Sequence, residues 1–314
     1  MNALTLTPAL ATLAEDTINF ARADKAEKTL TVYTACWNVF TGFCATYGLA
    51  VTPPDVRTVT MFLTSLEKQG KALSTIHNHL SAIKYFLGRQ GQPLNAEDPL
   101  LLSVIEGITR KLGSAQVGSD AVLPSDLRAL VNTCPGTVTG LRDRAIMLLG
   151  FAGAFRRSEM TSLVVEDLTF VDEGLVILLR RSKTDQHGHG MEKAIPFAQD
   201  LTLCPVRALR TWLSAAGITE GPLFRRVRKN GLVGSDALSD ESVRLIVTGA
   251  AKAAGIEGKI TPHSLRAGFC TAAALNNVDL ARIGKHVGHA SVQTTMRYVR
   301  IAERFKDHAG AGLL

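Results

Sequence analysis

The chain has 314 residues, of which 46% are hydrophobic and 20% charged, so it is neither an extended disordered protein nor too short for two domains with separate cores. The formal net charge is +7, which favours a polyanionic partner such as a nucleic acid. The five cysteines are odd in number, scattered and without a CxxC pair, which argues against a disulfide framework and a structural zinc site.

The N-terminal stretch has no basic leader followed by an apolar core, and nowhere do about 18 apolar residues run uninterrupted. We therefore expect no membrane partner and predict a cytoplasmic location, and the scattered cysteines indicate a reducing compartment.

The first 113 residues carry apolar side chains at the three- and four-residue spacing of amphipathic helices. One predicted helix ends at Gly48, and another covers "TIHNHLSAIKYF". Side chains that we place on polar faces of this region could meet a phosphate backbone, although a solvated face is the simpler interpretation. They are Lys71, His77, His79 and Lys84.

Residues 114–121, "SAQVGSDA", lack large apolar side chains and are rich in small polar ones, as linkers are. We predict that they separate a helical domain, residues 1–113, from a second domain, residues 122–314.

The second domain begins with predicted helices at Pro124 and in "LRDRAIMLLGFAGA". Three β-rich runs follow, separated by "VDEG" and "SKTDQHGHG", and they predict a small antiparallel sheet. From Pro205 onward we expect helices to the C-terminus. The predicted fold class is mainly α with a small antiparallel β-sheet (α+β).

Two short motifs offer groups that bind anions. Arg156 and Glu159 are three residues apart, so on a helix the carboxylate could orient the guanidinium, or the two could form an ordinary surface salt bridge. In "TPHSLR", Thr261 suits an N-cap and Pro262 the first helical position, which places His263 in the first turn and an arginine, Arg266, on the same face. A helix N-terminus with these two side chains is a candidate phosphate site.

Lys183 lies at a strand end in "RRSKTD", where it could project from the sheet edge or simply be an exposed loop lysine. The nearby His187 and His189 are flanked by glycines, and we interpret them as part of a flexible loop and predict no metal site.

His289 and Tyr298 are nine residues apart, so on one unbroken helix they would lie on opposite faces. Gly288 is a plausible helix end and Ser291 a good N-cap for a following helix, and a corner between them could aim both side chains at one point. A buried tyrosine on an amphipathic helix is the alternative.

An arginine after an apolar helix, a lysine in a β-turn, His-x-x-Arg on a later helix, and Gly-His followed by Tyr occur in this order. In type, order and spacing they resemble the tyrosine recombinase (phage integrase) family, of the Cre and Xer kind. The resemblance implies a helical core-binding domain followed by a tyrosine-recombinase catalytic domain.

The resemblance also implies a mechanism in which a tyrosine attacks a DNA phosphate and forms a 3′-phosphotyrosyl link. A phenol with a pKa of about 10 is a weak nucleophile at neutral pH, so it needs a base or charge stabilisation nearby. The implied roles are as follows: Tyr298 attacks, Arg156 and Arg266 hold the non-bridging oxygens, His263 exchanges a proton with Tyr298, His289 hydrogen-bonds a phosphoryl oxygen, Lys183 protonates the leaving 5′-oxygen, and Glu159 fixes Arg156 or a neighbour.

The stretch "PLFRRVRKNG" is similar to the Cre-like branch of the family. Its basic residues are dense enough for phosphate contacts and equally fit a solvated basic turn. The candidate DNA-binding residues are Arg225, Arg226, Arg228 and Lys229.

The implied partners are double-stranded DNA at specific recombination sites and further copies of the chain, in a tetrameric synapse. No metal or nucleotide cofactor is expected, and the sequence contains no GxxxxGK[ST] loop. Two other functions remain open: a type IB topoisomerase-like or resolving enzyme with the same chemistry, and a non-catalytic DNA-binding protein on an integrase scaffold.

Overall fold

The computed structural model describes residues 10, 12–13, 16–17, 24–53, 55–113, 118–180, 190–289, 291, 293–296 and 298. It divides the chain into two compact units, Met1–Gln116 and Val117–Leu314. This division falls inside the range 114–121 that we assign to a linker. Asp120 N–H donates to Lys259 O at 3.1 Å, so the end of that range is attached to the second unit.

Four helices make up the described core of the first unit: α1 (Glu27–Tyr47), α2 (Val56–Lys68), α3 (Leu73–Arg89) and α4 (Pro99–Leu112). As predicted, α1 ends at Gly48, which has a left-handed backbone with φ of +64°. Phe40 and Phe62 pack edge to face in the core. The placement of His79 on a polar face is wrong, because its ring is buried edge-on against Phe62.

The second unit contains these elements in chain order: α5 (Pro124–Asn132), α6 (Val138–Ala152), α7 (Arg157–Ser162), β1 (Leu168–Val171), β2 (Gly174–Leu179), β3 (Met191–Pro196), α8 (Pro205–Ala216), β4 (Arg225–Val227), β5 (Val233–Ala237), α9 (Asp240–Ala253), α10 (Pro262–Leu275) and α11 (Leu280–Val287). Residues 293–296 and 298 are helical as well.

The predicted sheet is confirmed. Strands β1, β2 and β3 pair antiparallel in that order, with Val176 opposite Ala194 on the β2–β3 ladder. The inner face of the sheet packs on α6 and α8, where Trp212 is buried and its indole N–H donates to Leu223 O at 2.9 Å. The expectation of helices throughout from Pro205 onward is wrong, because β4 and β5 form an antiparallel hairpin there. Its strands of three and five residues are too short to show a two-residue period in the sequence.

The fold class, mainly α with small antiparallel sheets, is confirmed. Within the described ranges, every helix is too short or too polar to cross a membrane.

Candidate active site

Arg156 lies at the start of α7, and Glu159 lies one turn into it. Arg156 is the N-cap residue with an extended backbone, so the expectation that both residues lie within one helix is wrong by one position. The predicted contact nevertheless forms. The Glu159 carboxylate accepts hydrogen bonds from the Arg156 backbone N–H at 2.9 Å and from Nη1 at 2.6 Å. Glu159 is only 3% exposed and the Arg156 side chain 21%, so this is a largely buried pair that fixes the guanidinium and not a surface salt bridge.

The other end of the Arg156 guanidinium contacts the end of α11. Its Nη2 donates to Gly288 O at 3.2 Å. Gly288 ends α11 in the left-handed conformation, with φ of +73°, as predicted for a helix terminus at this glycine. The turn at Gly288, just before His289, therefore also supplies a hydrogen-bond acceptor to Arg156.

Helix α10 begins as predicted, with Thr261 at the N-cap and Pro262 as the first helical residue. The Thr261 hydroxyl pairs with Ser119 at 2.8 Å, and the Ser264 hydroxyl accepts from the Thr261 N–H at 3.0 Å. Side-chain hydrogen bonds on both sides of the N-cap therefore fix the start of α10. They also fix the direction in which the His263 side chain projects from the first turn.

Arg266 lies one turn further along α10 and is 1% exposed. Its Nη1 donates to Ala154 O at 2.8 Å. Ala154 has a positive φ of +47° in the turn between α6 and Arg156. The short turn from Gly153 to Arg156 therefore supplies one arginine of the site and the carbonyl that holds the other.

The positive charge of the two arginines adds to burial in lowering the pKa of neighbouring basic groups. Burial, and then the charge of Arg156, lower the pKa of Arg266 to about 10, so it remains a cation at neutral pH. Burial, and then Arg266 and Arg156, lower the pKa of His263 below its ordinary value of 6.5. The His263 ring is consequently neutral at pH 7 and can accept a proton.

Tyr298 reaches this group of side chains from the last described helical residues. Its Oη lies 3.3 Å from His263 Nε2, and its ring lies nearly parallel to that of His289, at 11° with centroids 6.0 Å apart. The predicted break between His289 and Tyr298 is confirmed, since Ser291 Oγ accepts the Gln293 N–H at 3.2 Å. The half-buried Tyr298 also packs against an apolar cluster that includes Ala154. It is therefore both a partly buried aromatic and a hydroxyl beside a neutral histidine.

The family profile of the phage integrase family matches residues 121–304. Among curated proteins, an integrase/recombinase XerD homolog of Selenomonas ruminantium is 36% identical over 290 residues, covering 91% of this chain and 85% of that protein. The chain belongs to the phage integrase family. The family's members are tyrosine recombinases, so the chain is an enzyme of site-specific DNA recombination.

Two further comparisons agree with this membership. The recombinase Cre of Escherichia phage P1 is 26% identical over 269 residues, covering 79% of this chain and 76% of that protein. A crystal structure of a lambda integrase dimer bound to a COC′ core site has a TM-score of 0.61 at 16% identity, covering 95% of this chain and 78% of that one. The structural likeness supports the fold of this tyrosine recombinase.

Sequence reasoning missed Thr295, which contacts one of the candidate site residues of this recombinase. His289 Nδ1 lies 2.8 Å from Thr295 Oγ1, and Thr295 is 1% exposed. Burial, followed by the charges of Arg266 and Arg156, lowers the pKa of His289 to about 4. A neutral His289 whose Nδ1 accepts the threonine O–H carries its proton on Nε2, where it can donate to another group. The sequence could have indicated Thr295 by its place on the same predicted helix as Tyr298, less than one turn before it.

Lys193 on β3 was also missed. It is 1% exposed, and its Nζ contacts Gly153 O at 2.7 Å and His286 O at 2.6 Å. Burial lowers the pKa of Lys193 to about 7, and the nearby Glu159 carboxylate offsets part of that shift. Its inward position could have been inferred, because Lys193 and the buried Ile195 are two residues apart and share one face of the strand.

Some predicted residues of the tyrosine recombinase site lie outside the described residues, namely Lys183, His187 and His189. Among the described side chains, no three histidines, cysteines or carboxylates are grouped as metal ligands.

The basic stretch predicted to bind DNA contains strand β4 and the turn that leads toward β5 in the β4–β5 hairpin. Arg225 is held within the protein, since its Nε donates to Pro222 O at 2.9 Å and its Nη2 to Glu220 O. The other three basic side chains of the stretch are exposed: Arg226, Arg228 and Lys229.

Proposed function

We propose that Tyr298 is the nucleophile of this recombinase and forms a 3′-phosphotyrosyl link with DNA. The observation that supports this is the 3.3 Å separation of Tyr298 Oη from His263 Nε2, within a group of side chains that includes two arginines. The lowered pKa of His263 suits a base that receives the phenolic proton.

In the proposed step, the Tyr298 oxygen bonds to phosphorus, the bond from phosphorus to the 5′-oxygen breaks, and the tyrosine proton passes to His263. Arg156 and Arg266 neutralise charge on the non-bridging oxygens as the pentacoordinate phosphorus forms. His289 donates to a phosphoryl oxygen through Nε2. Lys183 protonates the leaving 5′-oxygen, a role that rests on the family resemblance.

The link conserves the energy of the broken phosphodiester, so rejoining by attack of a 5′-hydroxyl is nearly isoenergetic. We propose on that ground that the reaction needs neither metal nor nucleotide. The second partner DNA requires a second pair of active sites, and we propose a homo-oligomer on DNA, as a tetrameric synapse. The lambda integrase in the comparison structure is a dimer bound to a core site.

The net charge of +7 and the exposed basic residues of the β4–β5 hairpin support double-stranded DNA as the partner. We place Arg226, Arg228 and Lys229 at the phosphate backbone, with Arg225 bracing the hairpin. A DNA-acting enzyme of this kind would work in the cytoplasm, on the nucleoid.

The test uses DNA sites first selected from sequence beside the gene by specific binding. Duplexes with a nick next to the cleavage position trap the covalent complex, because the short 5′-hydroxyl fragment diffuses away. Wild type and Tyr298→Phe are incubated with them in EDTA and run on denaturing gels. We expect a protein–DNA adduct with wild type and none with Tyr298→Phe.

Other outcomes identify the alternatives. Specific binding without an adduct would refute Tyr298 as nucleophile and favour a non-catalytic DNA-binding protein. An adduct without exchange of strands between two sites would favour a topoisomerase-like or resolving enzyme.

A further inference from the structure

Lys193 is a fully buried lysine in the second unit, and the proposed mechanism gives it no role. It is one of the largest side chains in the described residues with almost no exposure. Burying an ammonium group is costly unless it is paired, and lysine is rarely found so deep in a protein. Because a position of this kind is usually filled by an apolar side chain, we expect the Lys193 amine to have a specific role.

The Lys193 amine joins two segments of the chain that lie far apart in sequence. Its contacts are Gly153 O at 2.7 Å and His286 O at 2.6 Å. The first carbonyl belongs to the turn after α6, and the second to the last turn of α11. The amine also lies 5.1 Å from the centre of the Phe155 ring, within the range of a cation–π contact.

Each of these segments holds one of the site arginines. The turn after α6 contains Ala154, whose carbonyl accepts from Arg266 Nη1 at 2.8 Å, and it ends at Arg156. The last turn of α11 leads to Gly288, whose carbonyl accepts from Arg156 Nη2 at 3.2 Å. Lys193 therefore bridges two backbone segments, of which the first is bonded to the Arg266 guanidinium and the second to the Arg156 guanidinium.

We propose that Lys193 is a positioning residue that holds Arg156 and Arg266 at the separation needed to bind both non-bridging oxygens of the reacting phosphate. The inference rests on the proposed function. Lys193 acts through the backbone turns and does not touch the DNA. Its role differs from that proposed for Lys183, which acts at the leaving oxygen.

A purely structural role would make a different prediction. Lys193→Met leaves two buried carbonyls without their donor, so the variant is expected to melt at a lower temperature. A purely structural role predicts no loss of rate at a temperature where the variant is fully folded. A positioning role predicts a loss in the cleavage step even where the fold is intact, because a shift of about 1 Å in catalytic groups costs on the order of 100-fold in rate.

The experiment compares Lys193→Met and Lys193→Arg with wild type and with Ile195→Ala. Ile195 lies on the same face of β3, so its truncation weakens the same core without removing a bond to either turn. Thermal unfolding, specific DNA affinity and single-turnover adduct formation are measured for each. Two nicked substrates are used: one with the normal phosphodiester, and one with a methylphosphonate at the cleavage position, in which a methyl group replaces a charged non-bridging oxygen.

We expect Lys193→Met to bind DNA as wild type does but to form adduct on the order of 100-fold more slowly on the phosphodiester. The loss should shrink on the methylphosphonate, because a substrate without that charge depends less on two aligned guanidinium groups. Lys193→Arg should recover most of the rate, since a guanidinium can donate to both carbonyls. Ile195→Ala should lower the melting temperature and leave the rates close to those of wild type.

The inference is overturned if Lys193→Met forms adduct as fast as wild type, or if its loss is equal on the two substrates. It is also overturned if Ile195→Ala loses as much rate for the same loss of thermal stability. Absence of an adduct with wild type itself would refute the proposed function and, with it, the role of Lys193. A defect confined to the Lys193 variants would not affect the proposed function.

Discussion

Arg156 Nη2 and Gly288 O are joined by a 3.2 Å hydrogen bond between residues 132 positions apart, and this bond links the start of α7 to the end of α11. The carbonyl points at the arginine because Gly288 has a left-handed backbone with φ of +73°. An L residue pays about 1–2 kcal/mol for that conformation. A Cβ at Gly288 would also lie 3.2 Å from Met191 Cε.

We predict that Gly288→Ala lowers the free energy of unfolding by about 1–2 kcal/mol and slows adduct formation beyond what that loss explains. The matched control is Gly217→Ala. Gly217 ends α8 with φ of +62°, and a Cβ there would meet nothing within 4 Å. Chemical denaturation and single-turnover cleavage are measured for both. Equal effects on cleavage would contradict a role for the Gly288 turn in the site.

The Glu159 carboxylate accepts hydrogen bonds from two donors of Arg156, one on each oxygen, and a side-chain amide has only one oxygen to accept them. In Glu159→Gln one oxygen accepts, while the amide NH₂ faces an N–H or guanidinium donor. We predict a loss of about 1–3 kcal/mol of stability and at least about a tenfold slower cleavage. Glu241→Gln is the control, because Glu241 pairs with Arg244 at the same i,i+3 spacing on an exposed surface. If both variants behave alike in cleavage, the Glu159 contact has no functional role.

The Thr295 hydroxyl sets the protonation of His289 if it donates to Nδ1. Thr295→Val keeps the shape of the side chain and removes the O–H, whereas Thr295→Ser keeps the O–H. We predict that the valine variant cleaves about fivefold to tenfold more slowly, the equivalent of one hydrogen bond, and that the serine variant cleaves nearly as fast as wild type. Single-turnover cleavage measures this, and NMR of the imidazole nitrogens reports the tautomer. A serine variant as slow as the valine variant would show that packing, not the hydroxyl, matters.

The pH dependence of cleavage follows from the neutral state of His263. Its pKa lies below 6.5, and the base form is the one that accepts the tyrosine proton. Cleavage at subsaturating DNA should therefore decline as the pH falls through the pKa of His263, with the midpoint below pH 6.5. His263→Gln should remove this decline and slow cleavage by about 100-fold or more, since an amide cannot take up a proton.

His289→Gln separates the two histidines in the same measurement. The pKa of His289 is about 4, and this variant retains His263, so it should keep the decline. A decline centred above pH 6.5, or one that survives in His263→Gln, would rule out His263 as the base.

Local sequence signals predicted much of the site. Thr261 and Pro262 predicted the start of α10, and Gly288 and Ser291 predicted the break that brings His289 and Tyr298 to one place, because caps and helix ends are decided by a few neighbouring residues.

The tertiary partners of the site were not predictable in the same way. Arg266 bonds to Ala154 O over 112 positions, and the Lys193 amine bonds to carbonyls 40 and 93 positions away. The sequence does not show which backbone carbonyls accept hydrogen bonds from distant side chains. Only the alternation of inward and outward side chains along β3 could have indicated that Lys193 points into the protein. The β4–β5 hairpin was missed because its strands are too short to establish a period.

Basic groups meet at the turn from Gly153 to Arg156, where burial and mutual repulsion lower the pKa of Arg266, Lys193 and His263. Each lowered value marks the free energy by which folding disfavours the charged form of the group, a cost that Arg266 bears in full because it stays charged at neutral pH. This part of the fold is therefore locally frustrated, and selection for thermostability alone would replace these residues with apolar ones. A directed-evolution campaign that screens only for heat resistance is expected to erode this cluster first, and recombination activity would decline as the melting temperature rises.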